Sequence, residues 1–322
     1  MITISVLDGY TMNPGDLSWE GFEALGELRY FERSSMEQRL ERARGAVVVV
    51  VNKVVMDREL LLQLPELRCI CVSATGYNNI DLETANELGI IVCNVKGYST
   101  PSVAQHVFAM LLYVNNRIGY YNNSVQMGRW YQANDFSYWD HPILELADKK
   151  MGVLGFGKIG QAVASLALAF GMKVLAMSKY PERDQMEGVE MVSIRELLER
   201  SDVVSLHVPL TKQTHHLINK ESIGWMKEEA ILINTGRGPL IEEQDLAEAL
   251  KANRIKAALL DVLSIEPPLP DHPLVGLSNC IISPHIAWAG QAARRRLMKG
   301  VEENIMAYLD GKPQNVVNEK GN

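Results

Sequence analysis

A chain of 322 residues that is 47% apolar and 22% charged has the composition of an ordinary globular protein, too long for one small core and about right for two. Its formal charge of -7, with no long basic run, argues against a nucleic-acid backbone or an acidic membrane surface as partner and leaves small molecules as the default. The longest aliphatic run, Ala46 to Val51, is far short of a membrane span, and "MITISVLDG" opens as a strand without a basic leader, so a cytoplasmic protein is expected. Four cysteines, Cys69, Cys71, Cys93 and Cys280, do not make a disulfide framework and read as reduced, buried thiols. Cys69 and Cys71, on one strand, are expected on opposite faces, which would rule out a joint metal site.

The first hundred residues alternate β-branched runs with helical patterns: "ARGAVVVVVN", "DRELLLQL", "LRCICVSATG", "LETANELG" and "GIIVCNV". This is βα repetition around a buried parallel sheet. A long apolar helix is expected from Pro101, "PSVAQHVFAMLLYVNNRIGYYNNSV", capped by Ser99-Thr100 and bridging two domains. An aromatic loop follows, "GRWYQANDFSYWDHPI", and around Trp130 and Trp139 two readings stand: cover for a neighbouring subunit, or simple packing. From Lys149 a second βα series runs to about His285, with strands at "KMGVLGF", "KVLAM", "VEMV", "DVVSLHV", "AILINTG", "KAALLDV" and "CIIS". A last helix, Gly290 to Leu309, is closed by Asp310-Gly311.

Gly155-x-Gly157-x-x-Gly160 lies between a strand and a helix. That context turns a weak motif into a dinucleotide site, with glycines for the tight turn, for backbone approach to a pyrophosphate and for helix-sheet packing. The acid that usually holds the adenosine ribose should end the next strand, yet "KVLAMSKYPERD" has Ser178-Lys179 there. Ser178 removes the repulsion a carboxylate would exert on a 2'-phosphate, while Lys179 and Arg183 offer positive charge, so NADP(H) is favoured over NAD(H). The plain alternative is a solvated loop beside an NAD site without an acidic anchor.

Three strand ends carry the remaining chemistry. "AILINTGRGPLIEE" places Arg237 after Thr235-Gly236, "LLDVLSIEPPLPDHPL" carries Asp261 and Glu266, and "CIISPHIAWAG" puts His285 past a strand. An arginine can clamp an α-keto acid through charge-assisted hydrogen bonds, a histidine can pass a proton to the C2 oxygen, and a carboxylate can orient the imidazole and favour its protonated form. Trp288 could close a substrate pocket on its apolar side. His207, His215 and His216 show no spacing for a closed metal site, and no metal is expected.

With these residues in place, the chain resembles the D-isomer-specific 2-hydroxyacid dehydrogenase family along nearly its whole length. "GFGKIGQAVA", "DVVSLHVPLTKQTHHLIN", "INTGRGPLI", "DVLSIEPP" and "SPHIAWA" occur in the family's order, and "SATGYNNID", "FSYWDHPILEL" and "PHIAWA" are similar to its glycerate dehydrogenase, or hydroxypyruvate reductase, branch. The resemblance implies two Rossmann-like α/β domains: a discontinuous, flavodoxin-like substrate domain, residues 1–100 plus 288–322, and an NAD(P)-binding domain, 101–287, with the active site in the cleft between them. It implies that Arg237 binds substrate, that Glu266 pairs with His285 and that His285 is the acid/base. Lys158 and Ile159 would meet the pyrophosphate, Val208, Pro209 and Thr214 the adenosine side, and Thr235, Gly236 and Asp261 the nicotinamide end. Ala74, Thr75 and Gly76 would present amides to the substrate carboxylate. A homodimer through the cofactor domain is implied, as is reduction of hydroxypyruvate or glyoxylate to the D-2-hydroxy acid. Asn52-Lys53, where phosphoglycerate-specific relatives carry arginine, disfavours a phosphorylated substrate, although Lys53 keeps a phosphoglycerate or other 2-hydroxyacid dehydrogenase as an alternative. A rival reading is a dinucleotide-sensing, co-repressor-like protein on the same fold; a formate-type dehydrogenase would not need the Glu266-His285 pair.

Overall fold

The computed structural model describes residues 1–318 and divides into two compact units: Met1–Ser99 together with the segment from Trp288 onward, and Thr100–Ala287. In the first unit five strands, β1 (Thr3–Val6), β2 (Glu27–Tyr30), β3 (Val48–Val51), β4 (Cys69–Val72) and β5 (Ile91–Cys93), form a parallel sheet in the order β2-β1-β3-β4-β5. That is the flavodoxin-like winding. The four valines of β3 are buried on both faces: Val49 and Val51 join one apolar layer, Val48 and Val50 the other. Helices cover the layers. Residues 58–61 are capped by Asp57 and residues 82–87 by Asp81, each carboxylate accepting a backbone N–H of the first turn. The helix Gln291–Leu309 lays Ala293, Leu297, Val301 and Ile305 on the second layer, and Gly311 follows its end with φ +71°.

Cys69 and Cys71 share that second layer with their sulfurs 3.8 Å apart, which corrects the expectation of opposite faces. Residues two apart on a strand point the same way. All four cysteines are free and buried, and hydrogen bonding to a neighbouring thiol, with burial added, pushes the Cys69 and Cys93 thiols well above the ordinary range.

The second unit holds seven parallel strands, β6 (Lys150–Leu154), β7 (Lys173–Met177), β8 (Val189–Met191), β9 (Val203–Leu206), β10 (Ile231–Asn234), β11 (Ala257–Leu260) and β12 (Cys280–Ile282), in the order β12-β11-β10-β9-β6-β7-β8. The winding reverses between β6 and β9, so the carboxyl ends of those strands flank the crevice where doubly wound sheets take their ligands. The small-residue helix Lys158–Ala169 packs Val163, Ala164 and Ala167 against Ala104, Val107, Phe108 and Leu111 of the helix Thr100–Asn116. The single helix expected over residues 101–125 is in fact two. Arg117 adopts φ +48° and separates Thr100–Asn116 from Ile118–Gln126. No helix among the described residues is long and apolar enough to cross a membrane.

Candidate active site

At the β6 end the three glycines meet three different constraints. Gly155 has φ +105°, and a Cβ there would lie 2.6 Å from the backbone of His207 and Val208; one on Gly160 would lie 2.2 Å from the carbonyl oxygen of Gly155. Gly157, the N-cap of helix Lys158–Ala169, is different: a Cβ there would meet nothing. Two glycines thus serve close backbone packing and the third keeps an approach open, beside the unfilled first amides of the helix at Lys158 and Ile159. Val208 and Pro209 follow β9, and Thr214 Oγ1 donates to the Pro209 carbonyl at 2.6 Å and accepts the Thr211 N–H at 2.8 Å. Past β10, the Thr235 hydroxyl is buried without a partner among the described residues. An open phosphate cradle and an orphaned hydroxyl along one sheet edge are what a bound dinucleotide would satisfy, so these residues fit that group.

Beyond β7 the structure adds a carboxylate that spacing did not reveal. Ser178 Oγ donates to Asp184 Oδ2 at 2.6 Å, and Arg183 Nε donates to Asp184 Oδ1 at 2.7 Å. Asp184 is buried, and these two donors hold its carboxyl below the usual carboxylate range. Arg183 is therefore occupied. Lys179 has no carboxylate partner among the described residues; its ammonium lies 5.5 Å from the Tyr180 ring centroid.

The reactive constellation lies within the second unit. Arg237, Gly238, Pro239, Val262, Leu263, Ser264, Glu266 and His285 line one pocket of about 180 Å³. The buried side chain of Asn234 sets the Arg237 turn, accepting the Gly236 N–H at 3.0 Å and donating to the Arg237 carbonyl at 2.9 Å. Arg237 Nη1 donates to the Gly236 carbonyl at 2.8 Å, and no carboxylate pairs with the guanidinium among the described residues. Glu266 Oε2 lies 2.6 Å from His285 Nδ1, while Oε1 accepts the Leu263 N–H at 3.1 Å. With Nδ1 turned to a carboxylate, Nε2 is left for a reacting oxygen.

His285 sits at φ +55°, a conformation a non-glycine residue adopts at roughly 1–2 kcal/mol. Its N–H donates to the Asp261 carbonyl at 2.8 Å, and the Asp261 carboxylate accepts the N–H groups of Ile286 and Ala287 at 2.9 and 2.8 Å and the Ser283 hydroxyl at 2.6 Å. His106 Nε2 stands 2.9 Å from that hydroxyl. Asp261, 1% exposed, thus shapes the turn that carries His285. His207 pairs with Ser205 Oγ at 2.8 Å, and removal from water pushes its pKa down to about 4, which keeps it neutral. Among the described residues no three His, Cys, Asp or Glu side chains are placed to hold a metal.

The other expected residues belong to the first unit. Asn52 is committed to the fold, its side-chain amide donating to the Ser73 carbonyl at 2.6 Å and its N–H to Asp8 at 2.7 Å. Thr75 Oγ1 donates to the Val95 carbonyl at 3.0 Å, and no acceptor meets the N–H groups of Ala74, Thr75 and Gly76 among the described residues. Trp288 packs edge-on against Tyr98 at 6.3 Å between ring centroids.

Residues 108–287 match the family described as D-isomer specific 2-hydroxyacid dehydrogenase, NAD binding domain. A hydroxypyruvate reductase of Blautia hydrogenotrophica is 46% identical over 319 residues, covering 98% of this chain and 99% of the relative. A glycerate dehydrogenase of Methylorubrum extorquens is 40% identical over 283 residues, 87% of this chain and 88% of the relative. Among solved structures, an acyclic imino acid reductase in complex with NADPH and D-Arg matches with a TM-score of 0.85 at 33% identity, over 98% of this chain and 100% of that one.

Proposed function

Because the chain belongs to the D-isomer specific 2-hydroxyacid dehydrogenase family and is an NAD(P)-dependent oxidoreductase of that kind, we propose that it reduces a small 2-keto acid, hydroxypyruvate or glyoxylate, to the D-2-hydroxy acid. The observation that carries this reading is the 2.6 Å contact between Glu266 and His285 in the same pocket as an Arg237 free of any carboxylate among the described residues. A bound NAD(P)H supplies the hydride for C2 of the keto acid. Arg237 holds the substrate carboxylate and carbonyl oxygen and stabilises the charge that develops on that oxygen. His285 delivers the proton to it from Nε2, and Glu266 keeps the ring oriented and balances the imidazolium charge. The open amides of Ala74, Thr75 and Gly76 are assigned to a carboxylate, and the buried hydroxyl of Thr235 and the Asp261 turn to the nicotinamide side.

For the cofactor, NADP(H) is favoured over NAD(H). Support comes from the uncharged Ser178 at the β7 end, from Lys179 without an ion pair among the described residues, and from Asp184, whose charge is covered by Arg183 and Ser178. A homodimer through the second unit is proposed as well. Helix Ile118–Gln126 buries none of its residues, and Tyr131, Phe136 and Trp139 are 89%, 89% and 69% exposed, an apolar display that a lone chain rarely leaves in water. Sedimentation analysis gives twice the chain mass if this is right.

Initial rates with a panel of 2-keto acids, run in parallel with NADPH and NADH, test the function. The expected result is fastest turnover of hydroxypyruvate or glyoxylate, with higher kcat/KM for NADPH. Binding of NADPH without turnover of any member would favour a sensor protein instead.

A further inference from the structure

Two consecutive amides of the loop after β11 are taken by two different carboxylates. The Leu263 N–H donates to Glu266 Oε1 at 3.1 Å, and the Ser264 N–H donates to Glu243 Oε1 at 2.8 Å. Glu243 opens the helix Glu243–Lys251, and its other oxygen lies 3.2 Å from Nε2 of His272. Both side chains are withdrawn from water, 16% and 7% exposed. The His272 Nδ1 accepts the Leu274 N–H at 3.3 Å, which assigns the ring proton to Nε2, where Glu243 receives it. A carboxylate removed from water is costly unless its oxygens are partnered. Both partners here belong to the chain segment that carries Glu266.

The same peptide unit is held from its other side. A Cβ on Gly238 would lie 2.0 Å from the carbonyl carbon of Leu263 and 2.3 Å from the nitrogen of Ser264, so the Arg237 turn presses directly on it. Movement of that peptide would carry the Leu263 amide, and with it the Glu266 carboxylate, away from His285.

We infer that Glu243, oriented by His272, is a positioning residue for the Glu266–His285 pair. It fixes the peptide between Leu263 and Ser264, so that the adjoining amide holds Glu266 in register with the imidazole. This rests on the reading of Glu266 and His285 as the orienting carboxylate and the acid/base.

The test compares Glu243→Ala, Glu243→Gln, His272→Gln and His285→Ala in hydroxypyruvate reduction, with NADPH affinity measured by fluorescence. Glu243→Ala lowers kcat about ten- to a hundredfold, the scale of misplacing a reacting group, while the Kd for NADPH stays as in the wild type. Glu243→Gln keeps an oxygen for the Ser264 N–H but turns its NH2 toward the His272 Nε2–H, so it restores kcat only in part, to a value between those of Glu243→Ala and the wild type. His272→Gln gives a smaller loss of kcat, again without loss of NADPH affinity, and serves if Glu243→Ala does not fold. Wild-type kcat in Glu243→Ala or in His272→Gln overturns the inference; so do equal losses in the Ala and Gln variants accompanied by weakened NADPH binding. If His285→Ala keeps wild-type turnover, the underlying acid/base reading fails; if it loses turnover while Glu243→Ala does not, only this inference fails.

Discussion

Glu266 Oε2 lies 2.6 Å from Nδ1 of His285 although 19 positions separate them, because each residue sits just beyond the carboxyl end of a neighbouring parallel strand, β11 and β12. The pairing occupies Nδ1, and in the proposed function Nε2 is the nitrogen that passes the proton. Replacing Glu266 with Gln keeps the volume and removes the charge, and kcat/KM for keto-acid reduction should fall about ten- to a hundredfold with little change in NADPH affinity. Steady-state kinetics and a cofactor titration check this.

Gly238 and Gly157 separate packing from ligand approach. In Gly238→Ala the new methyl runs into the Leu263–Ser264 backbone, so an overpacking cost of about 1–3 kcal/mol is expected, together with loss of turnover as the Glu266 loop shifts. Thermal unfolding should drop by several degrees.

Gly157→Ala should behave in the opposite way. Its methyl meets no protein atom, so the melting temperature stays put while NADPH affinity falls about tenfold or more because a bound pyrophosphate is obstructed. Equal NADPH affinity in this variant would remove the phosphate from the glycine loop.

The proposed preference for NADPH rests on the β7 end. Lys179→Ala should lower kcat/KM for NADPH about tenfold and leave that for NADH unchanged, as removal of one phosphate partner requires.

The Asp184 anchor beneath that site has a defined pH response. Its carboxyl is depressed by Arg183 first and Ser178 second, so the stabilisation is fully present above the ordinary carboxylate range and is lost as pH falls through the lower, folded-state value. NADPH affinity should therefore show no Asp184-dependent change around neutrality. Asp184→Asn should weaken NADPH binding at neutral pH, and fluorescence titrations of both proteins check it.

Much of this fold was legible in the sequence because buried parallel strands are written as β-branched runs. Valines 48–51 and "AILIN" left little choice, and all seven strands of the second sheet lie where those runs are. β2 escaped notice: it is a four-residue edge strand whose side chains alternate between exposed and half-buried, so "ELRY" has no apolar run to find. The break at Arg117 was hidden too, since a left-handed arginine leaves no compositional mark. That Arg237, Glu266 and His285 line one pocket could be anticipated from their places after strand ends. Asp184 could not, because its link to Ser178 crosses a turn rather than a strand end. Nor could Glu243 and His272, which lie 29 positions apart and meet only through tertiary packing.

The most direct test of the central claim is kcat/KM for NADPH-dependent hydroxypyruvate reduction by His285→Ala against the wild type. Proton delivery from Nε2 predicts a loss of at least about a hundredfold with the Kd for NADPH unchanged. Turnover within a few-fold of the wild type would contradict His285 as the acid/base, and with it the chemistry assigned to the pocket.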